Sequence, residues 1–284
     1  MKWHGILKES SSPDSFKVKY LLCISSTAGG EIDVQGCYYA ALFRRDNRLL
    51  KPHENGNIAT TLYVELPLTE YREAWRLQQT IVAAKKEGRL QSDVILALEH
   101  PPVYTLGRRG GIENLCVPRA RLAEEGIDVV QIERGGDITY HGPGQLVAYP
   151  LMDIRRARLG VTELVTSLEE IMINMAEAFG IQAGCSPLNR GVWVDQAKLG
   201  SIGIAVRRDI TFHGMALNVN LDLTHFSWIN PCGLKEVGMT SLKKAGGKTI
   251  DMQAARRVLQ ENMQSVLGLE LEPTDMETLS GLIN

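Results

Sequence analysis

One stretch of twelve residues limits what this chain can become: Arg134-Gly135-Gly136-Asp137-Ile138-Thr139-Tyr140-His141-Gly142-Pro143-Gly144-Gln145. Four glycines, a proline, an arginine and a histidine lie between two apolar runs, Val129-Val130-Gln131-Ile132 and Leu146-Val147-Ala148-Tyr149-Pro150. A Gly-Gly pair after an apolar run reads as a strand ending in a tight loop. Backbone without Cβ atoms can approach a ligand closely and turn N–H groups toward it. Gly142-Pro143-Gly144 predicts a type II turn, with proline setting φ and glycine supplying φ > 0. Arg134 and His141 bracket the loop with a fixed charge and a titratable ring.

Several function classes are excluded early. A net charge of −2 over 284 residues argues against a general nucleic-acid or membrane-surface binder. No apolar run is long enough to span a bilayer. Tyr20-Leu21-Leu22-Cys23-Ile24 is too short and too far in to be a secretory signal. Five cysteines at irregular spacing, with no C-x-x-C, fit neither a disulfide framework nor a structural zinc site. The expectation is a cytoplasmic protein with reduced thiols and no metal.

Residues 1–60 show no periodicity and contain loop-like stretches at Ser10-Ser11-Ser12-Pro13 and His53-Glu54-Asn55-Gly56-Asn57. No methionine occurs between Met1 and Met152. The segment is therefore expected to be a loosely ordered extension or the product of a misassigned start, with any later start at a non-Met codon near Leu62. A domain is expected over 61–284.

Within it, Thr61–Leu66 reads as a strand, followed by a helix capped by Thr69 with Tyr71, Ala74, Trp75, Gln78, Ile81, Val82 and Lys85 on one face, closed by Gly88. Val94–Leu98 reads as a buried strand. A second Gly/Pro-marked segment spans Glu99–Gly110, and Pro118 and Gly126 bracket a short helix. Thr162 is expected to cap a long helix, its stripe running from Leu164 to Phe179 and Gly180 ending it. From Gly191 the period changes to two, predicting strands over Val192–Val194, Lys198–Val206 and Thr211–Asn220 with turns at Asp195-Gln196 and Arg208-Asp209. A final helix, Met252–Leu267, ends at Gly268, and a short tail follows. The order predicts a single α+β domain.

Cys232 lies between Pro231 and Gly233, a framing that Cys23, Cys37, Cys116 and Cys185 lack. A reactive thiol needs a neighbouring positive charge to hold its thiolate. Lys198, at the start of an otherwise apolar strand, is the candidate. His100, His141 and His213 all occur in Gly/Pro-framed segments, but no two have metal-ligand spacing. There is no P-loop and no dinucleotide-binding fingerprint, so nothing points to a nucleotide.

Together these residues resemble the lipoyl(octanoyl) transferase family. The resemblance runs from about residue 62 to 268. It rests on Glu99-His100-Pro101-Pro102-Val103-Tyr104-Thr105-Leu106-Gly107-Arg108, the 134–145 loop with Tyr149-Pro150, and Gly191-Val192-Trp193-Val194. It continues through Lys198-Leu199-Gly200-Ser201-Ile202-Gly203, His213-Gly214-Met215-Ala216-Leu217-Asn218-Val219, Pro231-Cys232-Gly233 and Thr240-Ser241-Leu242. It implies a biotin/lipoate-ligase-like α+β fold with a mixed or antiparallel sheet and flanking helices. It implies transfer of octanoyl from octanoyl-acyl carrier protein to a lysine of lipoyl domains. The acceptors would be the acyltransferase subunits of 2-oxoacid dehydrogenases and the glycine cleavage H protein; no cofactor is expected.

By the same resemblance, Cys232 is the nucleophile that carries the acyl group as a thioester, and Lys198 lowers its pKa and handles protons. Substrate contacts fall on Arg134, Gly135, Gly136, Asp137, Ile138, Thr139, Tyr140 and His141, on Ser201, Ile202 and Gly203, and on Gly214, Met215 and Ala216. Gly200 departs from a common alanine, and Met215 from a common phenylalanine or leucine. A glycine loop read alone suggests an anion cradle; with no nucleotide motif and a Cys–Lys pair, it reads better as the wall of an acyl channel. The alternatives are an ATP-dependent lipoate or biotin protein ligase, an amidotransferase between lipoyl-bearing proteins, and a non-catalytic acyl- or carrier-binding module.

Overall fold

The computed structural model describes residues 60–230 and 238–284, together with the backbone of three strands before them. Those strands, β1 (His4–Glu9), β2 (Lys19–Ser26) and β3 (Ile32–Asp33), pair antiparallel in that order. The expectation of an extension over 1–60 otherwise lies outside the described residues. From Thr61 the chain runs β4 (Thr61–Leu68), α1 (Tyr71–Lys86), β5 (Val94–Glu99), β6 (Val103–Leu106), α2 (Arg119–Glu124), β7 (Asp128–Gln131), β8 (Ile138–His141) and β9 (Gln145–Leu151). Then come α3 (Val161–Ala178), β10 (Gly184–Ser186), β11 (Asn189–Val194), β12 (Ala197–Arg207), β13 (Ile210–Asn218), β14 (Gly238–Met239), α4 (Leu242–Gly246), α5 (Met252–Leu267), β15 (Leu271–Pro273) and α6 (Met276–Ile283).

The main sheet has the order β10-β11-β12-β13-β9-β5-β4-β15, with β14 on β12. It is mixed: β10 to β5 pair antiparallel, whereas β5-β4, β4-β15 and β12-β14 are parallel. β5 and β9 are interior strands covered on both faces, which is why Val94-Ile95-Leu96-Ala97-Leu98 and Leu146-Val147-Ala148-Tyr149 read as apolar runs without alternation. The sheet is covered on both faces. The apolar stripe of α3 (Leu164, Leu168, Ile171, Met172, Met175) and that of α5 (Ala255, Leu259, Met263) pack on one face with Ile95, Leu146, Met215 and Leu217. On the other face α1 (Ala74, Ile81, Val82) and α6 (Leu279, Ile283) pack on Leu62, Val64, Leu96 and Val147. Each fully buried leucine or isoleucine in these layers contributes about 2 kcal/mol.

A smaller sheet, β7-β6-β8, is built from non-local pieces: β6 is parallel to β7 and antiparallel to β8. Part of the glycine-rich stretch is therefore strand, since Ile138–His141 pairs with Val103–Leu106. The predicted turn does form: the Gln145 N–H donates to Gly142 O at 3.1 Å, and Gly144 has φ 87°.

Three expectations need correction. Thr69 does not cap α1; its hydroxyl donates to Pro67 O at 2.8 Å, closing the bend before the helix, and Glu70 takes the cap position. Thr162 lies inside the first turn of α3, where Gly160 is the cap residue and its N–H donates to Glu163 Oε2 at 2.7 Å. That acceptor three residues on serves the helix start without a capping hydroxyl. The expected tail is structured: β15 pairs with β4, and α6, capped by the Asp275 carboxylate, buries Leu279 and Ile283. By contrast α5 has the predicted bounds, with Gly268 left-handed at its end. The turns at Asp195 and at Arg208-Asp209 carry the positive φ expected of tight hairpins.

Candidate active site

A cavity of about 280 Å³ opens between the glycine-rich loop and the β12–β13 hairpin. Residues 134–139 and 141 line it from the loop, 201–203 from β12 and 214–216 from β13. Lys198 lies on the same wall. Of the expected substrate contacts, all but Tyr140 line this one space together with Lys198. Strand alternation turns that side chain away, into a cluster with Tyr104, Phe226 and the stacked ring of His225 (4.8 Å). Burial pushes its hydroxyl pKa up to about 12. Cys232, with Pro231 and Gly233, lies outside the described residues.

The loop is held rigidly. Arg134 is only 8% exposed, and its guanidinium donates to Thr105 O (2.7 Å), to Thr105 Oγ1 (2.8 Å) and to Gly135 O (3.1 Å). Arg134 is thus part of the wall rather than a loose anion hook. The Gly135 N–H donates to Ile204 O at 3.1 Å, docking the loop on β12. Gly203 makes this close approach feasible, because a Cβ there would stand 2.8 Å from Arg134 Cδ and 3.1 Å from Gly135 O. Asp137 accepts both contacts of the Asn114 amide (2.9 and 2.8 Å) and the Ile138 N–H. Asn114 O in turn accepts the Asn230 N–H at 2.8 Å. One asparagine thereby joins the loop to the chain leading into Pro231.

Tyr71, His141, Tyr149 and His213 line the cavity, and His100 packs against three of them in one buried cluster. His100 hydrogen-bonds Thr69 O and the Tyr149 hydroxyl, each at 2.7 Å. His141 Nδ1 contacts Gln145 Oε1 at 2.6 Å, and its ring stacks on Tyr71 at 5.6 Å. Burial lowers the His100 pKa to about 4 and pushes His141 well below the usual imidazole range. His213 is lowered by burial too, and Glu133, 3.7 Å away, partly offsets this. At neutral pH these rings are uncharged. Among the described residues no group of His, Cys, Asp and Glu could hold a metal ion.

β11 and β14 flank Lys198. Its Nζ donates to Arg190 O at 2.9 Å and lies 5.5 Å from the centre of the Trp193 ring. Lys198 pairs across the ladder with Trp193 and Met239. Of the two departures from the family pattern, Met215 is buried in the wall. Gly200 has a local reason: a Cβ there would come within 2.5 Å of Met172 Sδ, so the α3 thioether occupies the methyl's place.

Several cavity residues carried no local signal. Tyr71 comes from α1, Val161 and Val165 from α3, and Asn189 and Arg190 from β11. The apolar stripe of α1 pointed to Tyr71 only as a core residue, and Asn114 was visible only through folding.

The lipoyl protein ligase A/B catalytic domain family model matches residues 70–264. The octanoyltransferase of Desulfotalea psychrophila is 48% identical over 207 residues, covering 72% of this chain and 93% of that protein. This chain belongs to the octanoyltransferase family. It is a transferase enzyme. The octanoyltransferase of Caldicellulosiruptor saccharolyticus is 40% identical over 220 residues, 77% of this chain and 93% of its own length. Among solved structures, lipoate-protein ligase A bound with ATP superposes with a TM-score of 0.63 at 15% identity, over 80% of this chain and 93% of the other. Protein Ta0514 of T. acidophilum, a putative lipoate protein ligase with bound lipoic acid, gives 0.60 at 16%, over 79% and 93%. At such identity these likenesses bear on the fold alone, and the fold is the expected lipoate-ligase-like α+β arrangement. No helix among the described residues is long and apolar enough to cross a membrane.

Proposed function

We propose that the enzyme moves an octanoyl group from octanoyl-acyl carrier protein to a lysine of a lipoyl domain, through a thioester on Cys232. Membership of the octanoyltransferase family supports octanoyl transfer in protein lipoylation. The observation that carries the finer reading is the setting of Lys198. Its ammonium lies on the wall of a largely apolar cavity, beside the strand to which the chain returns after Cys232.

In the first step the Cys232 thiolate attacks the carrier thioester carbonyl. The tetrahedral intermediate collapses by breaking the carrier C–S bond, and the carrier leaves as its thiolate. One thioester replaces another, so the step is close to balanced. In the second step the acceptor amine attacks the enzyme thioester, the C–S bond to Cys232 breaks, and an amide forms, which is strongly downhill. Lys198 as an ammonium stabilises the thiolate before acylation and gives its proton to the departing carrier thiolate; as the neutral amine it then takes the proton released by the attacking nitrogen. A developing oxyanion would be stabilised by loop backbone N–H groups other than that of Gly135, which is taken by Ile204 O. No step requires ATP.

The experiment is transfer with purified components. The reading predicts octanoylation of a lipoyl domain from octanoyl-carrier protein with neither ATP nor free octanoate. Transfer that occurs only with free octanoate and ATP would instead make the chain a ligase. Transfer only from another lipoyl-bearing protein would make it an amidotransferase.

A further inference from the structure

We propose that Glu169 is a positioning residue for Lys198, acting through the peptide group between Arg190 and Gly191. The inference rests on the catalytic reading of Lys198 given above. Glu169 lies on α3, its side chain only 3% exposed, among buried helix positions that are otherwise leucine, isoleucine, methionine, alanine and one serine. A carboxylate in such a place needs partners. Its Oε1 accepts the Gly191 N–H at 2.7 Å, and its Oε2 lies 3.1 Å from the Arg190 guanidinium. The carbonyl of the same peptide group, Arg190 O, accepts from Lys198 Nζ at 2.9 Å.

One peptide plane therefore joins a buried anion to the cation. The carboxylate draws on the N–H and polarises the group, and the carbonyl becomes a stronger acceptor for the ammonium. Gly191, with φ 120°, makes the arrangement possible. A Cβ there would stand 2.4 Å from Gly200 O and 2.8 Å from Lys198 Cε, so any side chain would displace the lysine stem. The carboxylate thus both aims the ammonium and favours its charged form.

The described charged and titratable groups around this link are few. α3 supplies Glu169, and β11 supplies Arg190, whose side chain is half exposed. β10 supplies Cys185, whose Sγ is 3.7 Å from Glu169 Oε2. That thiol is pushed up to about 11, by burial first and Glu169 second, and stays neutral. β14 presents Met239, which carries no charge.

The test is single-turnover acylation of the full chain by octanoyl-carrier protein, read as intact mass from about pH 6 to about 10. The proteins compared are the wild type, Glu169→Gln, Arg190→Met and Lys198→Met. Glutamine retains an acceptor for the Gly191 N–H and removes the charge. The expected result for Glu169→Gln is an acylation rate lowered about tenfold with donor KM unchanged, and an alkaline limb about one pH unit lower. Arg190→Met leaves the peptide and the carboxylate but removes the counter-ion, and moves that limb to higher pH. Equal slowing by both variants with an unmoved limb would reduce Glu169 to a packing role and overturn the proposal. So would a wild-type profile for Glu169→Gln alongside an inactive Lys198→Met. Wild-type acylation by Lys198→Met would overturn the Lys198 assignment itself, an outcome distinct from failure of the Glu169 link.

Discussion

Lys198→Met slows formation of the acyl-enzyme by about a hundredfold or more near neutral pH, while the fold is retained. Methionine keeps the unbranched stem that packs beside Gly191 and Trp193, so little packing is lost. On the proposed mechanism, what disappears is the charge that favours the Cys232 thiolate and the amine that accepts the second-step proton. The two losses separate by pH. Raising the pH restores thiolate without Lys198, so the defect in acylation shrinks above the ordinary thiol range. The defect in transfer to the amine persists. Stopped reactions at about pH 7 and about pH 9.5 make the comparison. Equal defects in acylation at both pH values would argue that Lys198 acts on something other than the thiol.

The second large effect concerns stability. Unfolding the domain at pH 4.5 requires less denaturant than at pH 7, because three histidines are buried in neutral form. The sign follows from proton counts. An unfolded histidine titrates near 6.5, whereas His100 in the fold is lowered to about 4. Between these values the unfolded chain binds a proton that the fold does not, so stability falls as pH falls through this window. For His100 alone the loss over the window is about 3 kcal/mol. His141 and His213 are shifted in the same direction by burial and add to it. His100→Gln, which does not titrate, flattens the dependence, although it also lowers stability at pH 7 by disturbing the bonds to Thr69 O and Tyr149. Denaturant midpoints for the two proteins at both pH values are the readout, and an undiminished acid dependence in the variant would contradict the account.

How much was legible in the sequence follows from the range of the interactions. Strands such as Val94–Leu98, and the β11–β13 meander with its turns at Asp195 and Asp209, announce themselves because periodicity and turn chemistry are local. α5 does so too, with Gly268 at its end. The caps of α1 and α3 were misread because Thr69 and Thr162 are good cap types whose hydroxyls the neighbouring backbone can use otherwise. β15 is three residues long and exists because β4 offers it an edge, while α6 buries only Leu279 and Ile283 deeply. Neither gives a pattern strong enough to read alone.

The site divides the same way. The glycine loop and the Met215 wall are contiguous in sequence and were visible. Asn114 reaches Asp137, and Glu169 reaches Gly191, across distances in the chain that no spacing rule connects. Tyr140 sits within the same motif. Its exclusion from the cavity depends on Ile138–His141 being strand, which requires the partner β6.

The proposed mechanism stands on Cys232 carrying the acyl group. Intact-mass measurement after mixing the protein with octanoyl-carrier protein, without ATP and without acceptor, tests it most directly. The account predicts one octanoyl adduct, lost on adding a lipoyl domain, mapped to Cys232 and absent from Cys232→Ala. A Cys232→Ala protein that retains full transfer activity would contradict it.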